Sequence, residues 1–441
     1  MRSAVPPASS HPSAPRDPAG PPAPDPAARR AVRGGIGGNY VDQFDIFLPV
    51  VALAPASADL FGSQALATNA GLVFVATLLG RPLGAALFGP LADRIGRTST
   101  TRVALAGVAL TTLLIALVPG HQVLGGGTLA TVVALRFLGG IFIGGEYTSA
   151  IPLAMEWSEP RRRGLLSGMV MSMSPWANAT ISALVLLMLS VLDPAQYSAW
   201  GWRLPFVAGA GLAGLMLWYY RRGGVADSAA WSGTTKRSRP LRDVLVGAHR
   251  HALAQVLLMM TGLWLLTNMS VPTLTTMLHS AGSLGPRTVS FTMMCGTAAS
   301  AGTMLALGHA STSAGRRRTL VGAGVLAALA APVAFAAVFA TSSVPMAVLL
   351  VLVLQVVAVS GYGPVGAYLA ERFPTAVRSS GYGVGYSLSI VVPALYPYYL
   401  PPLQATLGEI PAVATLLGLG GVLLALGAAL GPRTNAALPL P

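Results

Sequence analysis

Twelve apolar stretches follow one another from Ile36 to Gly431, separated by short polar breaks. Their approximate bounds are 36–57, 67–91, 102–119, 127–155, 164–192, 203–220, 252–278, 288–310, 319–341, 344–370, 379–402 and 409–431. About 20 apolar residues, rising ~1.5 Å each, suffice for a helix to cross the hydrocarbon core of a bilayer. Only 10% of the 441 residues carry a charge, so the chain lacks the surface of a soluble enzyme and lipid is its natural solvent. The expected fold is all-α and membrane-integral, with tilt or bending in the longer spans and bends at Pro175, Pro272, Pro364 and Pro393. Cys295 is the only cysteine, which excludes an intrachain disulfide and a cysteine-built metal site.

Basic residues accumulate in cytoplasmic loops and so decide the orientation. With the N-terminus inside, 24 of the 28 Lys and Arg fall on the cytoplasmic side, Arg203 and Arg287 fall outside, and Arg81 and Arg136 lie within spans. Both termini are therefore expected in the cytoplasm of a multi-pass plasma (inner) membrane protein. The net charge of +14 becomes a face directed at anionic lipid, which needs no nucleic acid as partner. Residues 1–35 are rich in Pro and Ala and form no apolar run, so they read as a disordered cytoplasmic arm and not as a signal peptide. Residues 432–441 read as a cytoplasmic tail.

A long inner loop, 221–251, divides the spans six and six, into bundles 36–220 and 252–431. The halves echo one another. G-P-L-A-D-R-I-G-R-T (89–98) is matched 219 residues later by G-H-A-S-T-S-A-G-R-R (308–317), and Glu156 is matched by Glu371 at an offset of 215. Two parallel six-helix repeats around a central cavity are expected.

The segment Gly89-x-x-x-Asp93-Arg94-x-Gly96-Arg97 resembles the signature loop of the major facilitator superfamily. Gly89 would let two helices approach closely, and Asp93 could accept from backbone amides at a neighbouring helix N-terminus. Such a latch would hold the cytoplasmic gate shut, with Glu156, Arg163, Glu371 and Arg378 as its other charged members. Thr312 and Ser313 replace the acidic and basic residues in the second copy, so that latch is expected to be weaker. G-N-Y-V-D-Q-F-D (38–45), R-P-L-G (81–84), G-G-E-Y (144–147), G-W-R-L-P-F (201–206) and R-F-P-T-A-V-R-S-S-G (372–381) are similar to hallmarks of the metabolite:proton symporters within that superfamily. Gln43, Thr148 and Ser149 depart from the pattern.

Ionisable residues inside spans are costly and mark function by default. Asp42 and Asp45 share a face of the first span, and helix register puts Asp45 level with Arg136 and Asp42 level with Arg81. Each pair reads either as a fixed ion pair or as a carboxylate whose proton affinity depends on whether Arg is beside it. Asp45 is the first candidate for the coupling proton and Asp42 the second. Glu146 reads as a further coupling residue or as part of the inner gate. No span of the second half holds Asp or Glu, leaving Asn268, Gln355, Tyr362, Tyr382 and Tyr386 as possible cavity contacts.

No catalytic set or metal-ligand cluster is legible, and no cofactor is implied. G-Y-G-P-V-G (361–366) fits a dinucleotide fingerprint but sits in an apolar helix, and His249 and His251 lack a third ligand. The resemblance implies a monomeric secondary transporter moving a small organic acid or zwitterion with a proton. A proton-driven exporter of an organic product is the alternative.

Overall fold

The computed structural model describes residues 25–62, 66–232, 239–281 and 286–433. The arm as far as residue 24, residues 233–238 of the inner loop and the tail from residue 434 lie outside the described residues. Among the described residues every regular element is helical and there is no strand. The long helices of the first half are α1 (Pro26–Ala52), α2 (Leu66–Ile95), α3 (Arg97–Ala116), α4 (Gly127–Trp157), α5 (Arg163–Val191) and α6 (Arg203–Arg222). In the second half α7 (Arg250–Asn268) runs through a π turn, Met269–Thr273, into α8 (Leu274–Ala281). There follow α9 (Pro286–Ala314), α10 (Arg316–Ala340), α11 (Val344–Val359), α12 (Val365–Arg372), α13 (Arg378–Leu388), α14 (Tyr396–Leu407) and α15 (Glu409–Ala429).

Ten helical stretches among the described residues are long and apolar enough to cross a membrane. Two of the expected spans are not among them. α6 carries Arg203, Arg221 and Arg222 at its ends, and the stretch 379–402 is split into α13, a short turn Val391–Ala394 and α14 by its prolines and small polar residues. Residues 26–35, expected in the arm, are helical. α1 begins at Pro26, ten residues before the apolar boundary, because the Asp25 carboxylate accepts from the Ala27 amide and Pro26 occupies the first helical position. Of the four expected bends, Pro272 lies in the π turn, Pro364 precedes α12 after a 3₁₀ turn and Pro393 lies in the break before α14. Pro175 sits inside an unbroken α5.

Small residues set the packing. α2 and α4 cross so closely that a Cβ at Gly80 or Gly84 would strike the backbone carbonyl of Phe137 or Ile141, and one at Gly140 or Gly144 would strike that of Thr77 or Arg81. In lipid there is little hydrophobic drive between helices, so such backbone-to-backbone contact supplies the dispersion that holds the pair. α5 and α9 join the two halves in the same way, Gly164 and Gly308 each facing the other's backbone. α2 and α13 make the second join, with Gly89 close against Ser380.

The sequence repeat has a structural counterpart. Gly96 and Gly315 both adopt left-handed backbone, φ +106° and +91°, and each is followed at once by a helix that opens on a buried arginine, Arg97 or Arg316. Arg97 pairs with Glu156 and Arg316 pairs with Glu371 at 3.2 Å. The offsets of 219 and 215 residues are therefore a repeated turn and a repeated ion pair.

Candidate functional site

Three polar constellations lie inside this apolar bundle. The first belongs to the first half alone. Arg136 on α4 donates to the Asp45 carboxylate at 2.8 Å, to the Asp45 carbonyl at 2.7 Å and to the Thr77 hydroxyl at 3.0 Å, while Thr112 on α3 bonds the other Asp45 oxygen. Four helices meet here, and both charged groups are almost wholly buried with their hydrogen-bonding capacity taken up. The expected Asp45–Arg136 pair thus exists as a closed ion pair.

The second constellation lies at the centre, between the halves. Arg81 stands over the rings of Tyr147 and Tyr386, 5.3 and 5.5 Å from their centroids. Tyr147 stacks on Tyr386 at 4.1 Å and approaches Tyr382 at 5.6 Å; Trp264 meets Tyr362 and Tyr386 edge-on. The Trp264 indole N–H donates to the Tyr386 carbonyl at 3.3 Å, which fixes the wall of this aromatic box. Arg81 is 1% exposed, yet its Nε and Nη2 have no hydrogen-bond partner among the described residues. Asp42 and Glu146 lie side by side within electrostatic reach of Arg81, both fully buried, their carboxyls in hydrogen-bond contact with each other and with no other partner among the described residues. The Asn268 amide nitrogen is also buried, with no hydrogen-bond partner among the described residues.

Such orphaned groups cost free energy, about 1–3 kcal/mol each and more when charged, so a site that keeps them is built for something that binds and leaves. A guanidinium with free N–H groups over aromatic faces suits a carboxylate, and a carboxyl pair beside it suits a proton or a cationic group. Here the sequence expectation is refined in three ways. Asp42 shares its site with Arg81 without forming a closed ion pair. Glu146, left between two roles, lies beside Asp42 and rests against Gly38 of α1, away from the gate. Gln355 does not reach this centre: it packs on Gly296 and bonds Thr297 and Met293 within the second half. Tyr147 and Trp264 were missed. Tyr147 adjoins Glu146 in the G-G-E-Y segment, which was the available signal; Trp264 carries no local mark.

At one end of the bundle lies the third constellation, a latch between the halves. The Asp93 carboxylate accepts from the Ser379 amide at 3.0 Å, the Ser380 amide at 2.9 Å and the Ser380 hydroxyl at 2.7 Å. It thereby caps the N-terminus of α13, where the helix dipole favours negative charge. Arg97 reaches the Thr375 carbonyl at 3.2 Å, and Glu156 receives both Arg97 and Arg378 together with the Ser228 hydroxyl at 2.6 Å. Arg163 lies near Glu371 and Arg316, while Arg94 is exposed. In the second half Ser311 and Thr312 bond Arg316, taking the place of an acidic residue. Part of the loop between the halves joins in: Asp227 caps α3 by accepting from the amides of Arg97 and Thr98, and the Trp231 indole donates to the Asp93 carbonyl. Leu78, Ile390 and Ala394 form a small apolar contact between the halves, with Phe74 and Trp264 packed against it.

Residues 38–397 match the family profile of the Major Facilitator Superfamily. The chain is 29% identical over 384 residues to the inner membrane metabolite transport protein YhjE of Escherichia coli K12, covering 84% of this chain and 87% of that protein. It is 28% identical over 374 residues to the alpha-ketoglutarate permease of the same organism, covering 81% and 83%. Among solved structures, the proton:xylose symporter XylE bound to 6-bromo-6-deoxy-D-glucose superposes with a TM-score of 0.73 at 14% identity, over 91% of this chain and 94% of that one. Fold, latch and comparisons agree that this is a multi-pass membrane transporter and not an enzyme, and that the chain belongs to the major facilitator superfamily.

Proposed function

We propose that the protein carries a small carboxylate-bearing or zwitterionic metabolite together with a proton, by alternating access, in the plasma (inner) membrane. Two six-helix units, twelve spans in all, rock about the central site. Both termini and the Asp93 latch face the cytoplasm, a reading supported by the distribution of 24 of 28 basic residues. The observation that carries the proposal is the buried Arg81, with free N–H groups beside two carboxyls that face only each other and walled by tyrosines from both halves. The substrate carboxylate binds Arg81, and protonation of the Asp42–Glu146 pair offsets the charge that would otherwise be stranded in a dry site. Asp45, whose oxygens are occupied by Arg136 and Thr112, holds helices in place.

Uptake of labelled organic acids and betaines into proteoliposomes, with and without an imposed pH gradient, tests this reading. Accumulation of at least one compound should require an acidic exterior. Uptake that ignores the gradient would remove the symport.

A further inference from the structure

One face of α1 carries no side chain at positions 34 and 38 and then presents Asp42, so these positions repeat every four residues, about one turn or ~6 Å. Each gap is filled by a polar group from another helix. The Tyr220 hydroxyl of α6 stands against Gly34, where a Cβ would come within 2.8 Å of it, and a Glu146 carboxyl oxygen stands against Gly38. The row of Tyr220, Glu146 and Asp42 therefore runs about 12 Å along α1. All three are fully buried; the Asp42 and Glu146 carboxyls hydrogen-bond only each other, and the Tyr220 hydroxyl has no hydrogen-bond partner among the described residues. Around them lie the apolar side chains of Ala31, Val41, Ile143, Ala150 and Ala213. A single water suffices to bridge the orphaned Tyr220 hydroxyl to Glu146 one turn away, and Glu146 meets Asp42 directly.

One end of the row lies beside exposed residues at the end of α6 and the other reaches the central site. Tyr220 is followed by the exposed Arg221 and Arg222 at the end of α6, and its carbonyl accepts from Arg102 near the start of α3. Asp42 faces the site of Arg81 and Tyr386, with Asp45 one turn on; Tyr382 is the remaining titratable group near Glu146. The row lies wholly within the first half and does not pass through the Asp93 latch.

We propose that Tyr220, Glu146 and Asp42 form a hydrated proton route inside the first six-helix unit, linking the solvent at the Asp93 end to the central site while the latch is closed. Substrate and proton then leave by different paths: the substrate needs the halves to part, and the proton does not. This rests on the proton coupling proposed above and adds the path.

The test does not need the substrate. In lipid nanodiscs of the full chain, infrared difference spectroscopy between acidic and alkaline buffer reads the protonated carboxyl band, which Asp42→Asn and Glu146→Gln assign to this pair. Transfer to deuterated buffer then gives its exchange rate. Tyr220→Phe should slow exchange about tenfold, as expected when about 1.4 kcal/mol of hydrogen bonding is lost from the route. Gly34→Ala, which displaces the same hydroxyl without altering it, should act alike. Tyr219→Phe, whose hydroxyl bonds the Arg30 carbonyl off the row, should leave the rate unchanged. Wild-type exchange in both Tyr220→Phe and Gly34→Ala would overturn the route, and so would the absence of any band lost in Asp42→Asn or Glu146→Gln. Gradient-driven uptake by the wild type is measured separately, so loss of the route leaves the symport standing.

Discussion

Two aspartates three residues apart on α1 have opposite fates. Asp45 is satisfied by Arg136 and Thr112, whereas Asp42 meets only the Glu146 carboxyl among the described residues. Asp45→Asn should therefore act on stability: with Arg136 left without its counter-charge in a buried site, the loss is of order 3 kcal/mol or more. Thermal unfolding in detergent would register it, and the charge-swapped double variant should recover part of the folded yield. Asp93→Asn should act on the gate, since it weakens three hydrogen bonds, two of them from the N-terminus of α13. Charge-assisted bonds of this kind contribute about 1.5–3 kcal/mol, so the closed state should lose roughly tenfold or more in population and transport should slow. Equilibrium binding of substrate should stay near wild type, and a folded Asp93→Asn protein unable to bind would move Asp93 into the site. Both contacts were legible in the sequence, because helix register levels Asp45 with Arg136 and a charged turn after a glycine seeks a helix N-terminus. The division of labour between Asp42 and Asp45 was not legible. It depends on Thr77 and Thr112, two unremarkable threonines that complete one site and not the other.

At the scale of elements, the backbone approach of α2 and α4 makes a sharp prediction. Gly84→Ala places a methyl group against the Ile141 carbonyl, a backbone atom that cannot yield as a side-chain tip would, and should cost about 1–3 kcal/mol. Gly71→Ala, on the same helix with nothing within 4 Å, should stay within about 0.5 kcal/mol of wild type. A paired comparison of unfolding temperatures in detergent decides the matter; equal effects would mean the crossing is looser than described. Ten of the twelve expected spans were readable from apolar length alone, because lipid forces each span to satisfy its own backbone. Element ends were less so. The start of α1 at Pro26 depends on one cap, Asp25, lying outside the apolar pattern, and the breaks between α13 and α14 follow from Pro393 and its neighbours among residues too polar for a uniform span. The capping of α3 by Asp227 joins two segments 130 residues apart and leaves no local trace.

For the whole molecule, the repeat was visible as two offsets and reappears as matched left-handed glycines and matched ion pairs, whereas the aromatic box required both halves to be assembled. Orientation follows from charge: in a Cys295→Ser background, Ala195→Cys should react with an impermeant thiol reagent on intact cells and Ser313→Cys should not. Both positions are exposed, so the reverse pattern would invert the topology. The most direct test of the central claim compares uphill accumulation with exchange in Asp42→Asn proteoliposomes, using whichever labelled acid or betaine the wild type concentrates. The account predicts that accumulation along a pH gradient disappears while exchange of internal for external substrate persists, because exchange needs no deprotonation. A folded Asp42→Asn protein that still concentrates substrate along the gradient would contradict it.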